Sequence, residues 1–117
     1  MLIRVDPDSA IGLAEQIAGQ IRGALVAGEI EAGERLPPAR ELAAGLDVNM
    51  HTVLRAYSAL RDEGLIDLRR GRGAQVRAGI DLGVTELEQQ IDELLRSAGR
   101  LGMSRDQLAA RIKGESA

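Results

Sequence analysis

The chain has no cysteine, no phenylalanine and no tryptophan, and it carries one tyrosine and one histidine. Each shortage removes something. Without cysteine there are neither disulfides nor thiolate metal sites, and the composition suits a reducing compartment. With almost no aromatic residues, the core must come from Leu, Ile, Val and Ala, which favours packed helices over an aromatic-rich sheet. One histidine leaves no credible metal set and no Ser-His-acid arrangement, so enzyme readings fail for want of parts. The N-terminus "MLIRVDPDSA" lacks a basic segment followed by an apolar run, so it does not read as a secretory signal. No apolar run approaches the roughly 20 residues of a membrane span. A cytoplasmic protein with no membrane partner, no metal and no cofactor is expected.

What remains is 117 residues, 44% hydrophobic and 28% charged, with a net charge of −3. That suits one domain, or one small domain with an appendage. The acidic total argues against nucleic acid, yet the charge is unevenly placed. Residues 1–34 net −4, residues 35–77 net +3 from 8 Arg against 5 acids, and residues 78–117 net −2. For nucleic-acid binding the local basic patch outweighs the total.

Along the chain, "LIRV" reads as a short strand, and Ser9 or Asp8 as a cap for the helix that follows. In that helix Leu13, Ile17, Ile21 and Leu25 recur every four residues, stopping near Gly28. "EIEAGERLPP" reads as a loop, because Gly33 and the Pro37-Pro38 pair interrupt regular structure. A short helix "ARELAAGL" follows, then the turn "GLDV", with Asn49 as N-cap of a third helix. On that helix Val53, Ala56, Tyr57 and Leu60 share the core face, while His51, Arg55, Ser58 and Asp62 lie opposite. "LIDLRRGRGAQVR" reads as two short strands joined by a turn at Arg70–Gly73. Residues 78–83 form a linker. A tail over residues 84–117 then carries an amphipathic helix of about five turns and a last helix capped by Ser104.

A short helix, a tight turn, a capped helix and a hairpin together have the order of a helix-turn-helix with a wing. Such a unit lays its second helix in the major groove, N-terminal residues toward the bases. Asn49, Met50, His51 and Thr52, with Arg55 one turn on, supply hydrogen-bonding groups there. Asn can read adenine, and Arg can read guanine or hold a phosphate. At the wing, Gly71 and Gly73 allow close backbone approach, and Arg70 and Arg72 are placed for phosphates or the minor groove. The bland reading of each is plain: Asn49 is an N-cap whatever the function, His51 is an exposed histidine, and Arg72 is a solvated turn residue. A winged helix serving as a protein-interaction module is the alternative. It would favour an acid in place of Arg55 or Arg72, and neither occurs.

The tail points to self-association. Val84, Leu87, Ile91, Leu94, Leu95, Ala98 and Leu101 form one apolar stripe, which Leu108 and Ile112 extend onto the last helix. Two helices of fewer than about 40 residues are too small to bury such a stripe alone. Packing back on the winged helix would cover part of it; a second copy of the same tail would cover both stripes symmetrically.

The run "GERLPPARELAAGLDVNMHTVLRAYSALRDEGLIDLRRGRGAQV" resembles the winged helix-turn-helix domain of GntR-type bacterial transcription regulators. The Asn-x-x-Thr-Val-x-Arg-Ala-Tyr run from Asn49 to Tyr57 is similar to the YtrA-type subfamily, which carries a short helical tail. The resemblance covers residues 3–77. It implies a mainly α fold with a small β-hairpin: a winged helix-turn-helix over 1–77 and a C-terminal α-helical hairpin over 84–117 that dimerises. It also implies DNA contacts at Arg40, Asn49, Met50, His51, Thr52, Arg55, Gly71, Arg72 and Gly73. The implied function is transcription regulation, most often repression, by a homodimer on a near-palindromic double-stranded operator. Members often control their own operon, commonly one encoding a transporter, and the signal is either a small-molecule effector or something the sequence does not carry. Departures from the pattern are Pro38 for Ser, Asp47 for Gly, Met50 and His51 for Pro and Asn, Ala74-Gln75 for Thr-Phe, and Ala14 for Tyr.

Overall fold

The computed structural model describes residues 2–71 and 73–114; Arg72 therefore lies outside the described residues. Five helices and one hairpin follow in order: α1 Leu13–Val26, α2 Ala39–Leu46, α3 Met50–Asp62, β1 Ile66–Arg69, β2 Gly73–Val76, α4 Leu82–Arg100 and α5 Arg105–Ile112. The chain divides into two compact units, Met1–Leu82 and Gly83–Ala117.

The first unit has one core. The four-residue rhythm of α1 puts Ile17, Ile21 and Leu25 inside, where they meet the i, i+3, i+4, i+7 face of α3, Val53, Ala56, Tyr57 and Leu60. Ile66 from β1 and Leu36 from the segment before α2 close it. Each large aliphatic side chain taken fully out of water there contributes about 1.5–3 kcal/mol. Helix α1 stops where expected, since Gly28 has φ 74°, a left-handed conformation that an L side chain rarely adopts.

Four local expectations are corrected. Residues 2–6 form no strand. Two glutamines of α1 satisfy their backbone instead: Gln20 accepts from Arg4 N–H at 2.8 Å and donates to the Arg4 carbonyl, and Gln16 accepts from Asp6 N–H at 2.7 Å. Side-chain amides replace a strand partner. Neither Asp8 nor Ser9 caps α1; the N-cap is Gly12, with no side-chain cap, and Ser9 Oγ accepts instead from Ile11 N–H at 3.1 Å. The stretch before α2 is more than a loop, because Leu36 N–H donates to the Ala74 carbonyl at 2.9 Å and Val76 N–H to the Glu34 carbonyl at 2.8 Å. Residues 33–36 thus run along β2, with Arg35 bridged to Gln75. The linker is also shorter than 78–83, since α4 already begins at Leu82.

In the second unit α4 runs 19 residues and ends before Gly102, whose φ is 76°. Ser104 then opens α5 with a capping box, its hydroxyl accepting from Gln107 N–H at 3.1 Å while Gln107 Oε1 accepts from Ser104 N–H at 2.8 Å. Ala98 and Leu108 are already buried within the chain. Val84, Leu87, Ile91, Leu94, Leu101 and Ile112 are exposed.

Candidate nucleic-acid interface

The turn between α2 and α3 is tight because Asp47 takes a left-handed conformation, φ 55° and ψ 47°, where the related pattern has glycine. Val48 N–H then reaches back to the Ala43 carbonyl at 3.0 Å, closing α2. Asn49 opens α3 at once, its Oδ1 accepting from His51 N–H at 2.8 Å. One acceptor lone pair of Asn49 is therefore engaged by the cap. The second lone pair and the amide N–H groups face solvent, since the residue is exposed.

With Val53, Ala56, Tyr57 and Leu60 inward, the outward side of α3 is fixed. His51 and Arg55 are exposed there and Ser58 is half-buried. Two expected members are not brought out with them. Thr52 is buried, 6% exposed, and Met50 is half-buried and packed on the core. One side chain that the sequence reading passed over is brought out: Leu54, 37% exposed. It sits three residues after His51, on the same side of the helix, so helical spacing alone would have found it.

The hairpin pairs in antiparallel register from Ile66↔Val76 to Arg69↔Gly73. Gly73 is thus the first residue of β2 and not part of the turn. Gly71 and Gly73 have φ of 79° and 72°, so both positions need glycine's freedom. Arg70 and Gly71 are exposed, as is Arg69, which was not anticipated. Arg40 is exposed on the first turn of α2.

These pieces are tied together. The Tyr57 hydroxyl, on the inner face of α3, donates to the Pro37 carbonyl at 2.6 Å, just before α2 starts. Burial pushes the phenol up to about 12. Next to Pro37, residues 33–36 hold β2, and the Gln75 side chain donates to the Gly33 carbonyl at 2.8 Å. Behind α3, Arg22 of α1 is only 7% exposed. Its Nε donates to both Glu63 oxygens at 3.0 Å and its Nη1 to Glu15 at 2.7 Å. Burial alone would lower the guanidinium, but the two carboxylates prevail and raise it.

The ion pairs explain how an acidic chain presents a basic surface. Glu15 and Glu63 are held by Arg22, Asp62 by Arg61 at 3.2 Å, and Asp67 by Arg77 at 3.5 Å. Arg40, Arg55, Arg69 and Arg70 have no ion-pair partner among the described residues. Asp62, Glu63 and Asp67 are engaged by other arginines, whereas Glu41 and Asp47 of this region have no ion-pair partner among the described residues; the four cations outnumber these two acids. Among the described residues no cluster of His, Asp or Glu could hold a metal ion, and no helix is long and apolar enough to cross a membrane.

Helix, left-handed turn, capped helix and wing define a winged helix-turn-helix, the architecture of a DNA-binding regulator. The description "Bacterial regulatory proteins, gntR family" matches residues 13–76, and the chain belongs to that family. Over nearly its whole length it is similar to the HTH-type transcriptional repressor YtrA of Bacillus subtilis, 32% identical across 99% of this chain and 93% of that protein. The structure is similar to that of YtrA from Sulfolobus acidocaldarius, a GntR-family transcription factor, with 36% identity, a TM-score of 0.65, and 82% and 99% of the two chains covered. It is similar as well to AraR(DBD) in complex with operator ORX1, at 26% identity and a TM-score of 0.56, covering 62% of this chain and 89% of that one. The chain is a YtrA-type transcription regulator, not an enzyme.

Proposed function

We propose that this protein is a sequence-specific transcriptional repressor that binds a near-palindromic double-stranded operator as a homodimer. The observation that carries the reading is the set of arginines with no ion-pair partner among the described residues, Arg40, Arg55, Arg69 and Arg70, on the elements that a winged helix-turn-helix lays against DNA. The N-terminal turn of α3 enters the major groove, with Asn49, His51 and Arg55 toward the base edges. The wing tip and Arg40 take phosphates, fixing register without reading sequence. The relatives named as repressor and transcription factor support regulation by occupancy of an operator. The family resemblance points to its own operon, commonly one encoding a transporter, as the regulated genes, with the signal a small-molecule effector or one that the sequence does not carry. A gel shift with the DNA upstream of its own gene tests this directly. Binding that survives an excess of unrelated DNA is expected; equal affinity for both would overturn sequence-specific control.

Dimerisation belongs to the same reading. Along α4 the exposed Val84, Leu87, Ile91 and Leu94 recur at spacings of three and four residues, the rhythm of a helix that pairs with another. Facing copies would bury both stripes and set two α3 helices for two half-sites about one DNA turn apart. The wild-type protein is expected to sediment as a dimer at micromolar concentration. Ile91→Asp with Leu94→Asp should give a monomer with an intact winged helix and little operator affinity. A wild-type monomer, or a dimeric double variant, would refute the assignment.

A further inference from the structure

Leu54 is the one large apolar side chain exposed on α3 among the described residues, in company with His51, Arg55 and Ser58. A lone exposed leucine is ordinary on a protein surface. Its position is not. It lies one helical turn beyond the capped start of α3, on the side that Val53, Ala56, Tyr57 and Leu60 turn away from the core. Ala59, five residues on, is half-buried, Leu60 is buried, and Met50 packs on the core. Leu54 lies outside the core cluster and keeps 37% of its surface exposed, so α3 offers a single large apolar side chain amid polar ones.

The major-groove floor has one apolar feature, the C5 methyl of thymine; its other distinguishing groups are hydrogen-bond donors and acceptors. We infer that Leu54 is a specificity-determining residue that contacts a thymine methyl in each half-site of the operator. The inference rests on the DNA-binding reading above and adds to it the identity of one base. Arg55, the neighbouring residue, brings a cation to the same stretch of groove, so a base pair presenting a thymine methyl beside a hydrogen-bond acceptor fits this pair of side chains.

Replacing thymine by uracil deletes that methyl and leaves every hydrogen-bonding edge intact. Full-length wild-type protein is therefore titrated against its operator with dT changed to dU one position at a time, symmetrically in both half-sites. Burying a methyl is worth about fourfold in affinity per half-site. One position should weaken wild-type binding by about that factor per half-site. Leu54→Ala should bind the dT and dU operators equally at that position, while Arg55→Ala retains the discrimination. Leu54→Gln, which keeps length and helix propensity, should be equally blind to the methyl, and thermal unfolding of both Leu54 variants should match wild type. If wild type binds its operator tightly but ignores every dU change, or if Leu54→Ala and Leu54→Gln discriminate as wild type does, the assignment of Leu54 fails and the DNA-binding reading stands. If wild type prefers no DNA sequence at all, both fail.

Discussion

Tyr57→Phe removes one oxygen from the middle of the winged helix and gives two effects with separable signs. The first is the hydrogen bond to the Pro37 carbonyl at 2.6 Å. Deleting the donor leaves a half-buried carbonyl without that partner, at a cost of about 1 kcal/mol near neutral pH. The second effect appears in alkali. Unfolded, a tyrosine ionises near pH 10; folded, burial pushes Tyr57 up to about 12. The native state thus holds the proton more tightly than the unfolded state. The contribution is intact below about pH 10 and is lost as pH climbs through 12, at about 1.4 kcal/mol per pH unit and between about 2 and 3 kcal/mol in all. The phenylalanine variant has nothing to ionise. Wild type should therefore be the more stable protein at neutral pH, the two should cross near about pH 11, and the variant should lead above it. Denaturant melts across that range supply the comparison. Because this is the chain's only tyrosine and there is no tryptophan, near-ultraviolet tyrosinate absorbance reports the ionisation of Tyr57 alone. An absorbance midpoint near about 10, or a stability gap that does not change with pH, would refute the reasoning.

Other outcomes follow from the same geometry. Arg22→Met should destabilise by about 1–3 kcal/mol, below the usual range for breaking a buried pair, because Glu15 and Glu63 side chains at 54% and 30% exposure can rehydrate; denaturant melts measure it, and adding Glu63→Gln should cost less than the two changes summed. Asp47→Gly should raise stability by about 0.5 kcal/mol and Asp47→Val should lower it by about 1–2 kcal/mol, since φ 55° strains a branched side chain; a melting temperature that moves the other way would show that the Asp47 carboxylate itself supports the turn. Arg55→Ala should cost about 1–3 kcal/mol of operator binding, or lower the salt slope by about one, whereas Arg61→Ala should do neither. Equal losses from the two would overturn the orientation of α3 on DNA.

Legibility differed from element to element for physical reasons. Helix α3 was readable because core spacing and an N-cap residue agree, and the wing because Gly-Arg-Gly sits between two short apolar runs. "LIRV" was misread because alternation is necessary for a strand but does not supply the partner; here the partners are side-chain amides sixteen and ten residues away. The pairing of residues 33–36 with β2 had no local signal, as its hydrogen bonds are backbone to backbone across some forty residues. Thr52 was assigned by its polar character, although one residue along a helix turns about 100° and here turns inward. Leu54 was passed over for the complementary reason: an aliphatic residue is credited to a core before its angle is counted.

The belt that joins Gly33–Pro37 to β2 on one side and to Tyr57 on the other separates two kinds of inheritance. Residues that hold the wing and α3 at a fixed distance are buried or engaged through backbone groups, so a change there threatens the whole unit. His51, Leu54, Arg55 and the side chains of Arg69 and Arg70 carry almost none of that burden. Substitution at those positions changes what is read while the frame that presents it stays put. A lineage can therefore move this protein from one operator to another by single steps, none of which has to pass through an unfolded intermediate.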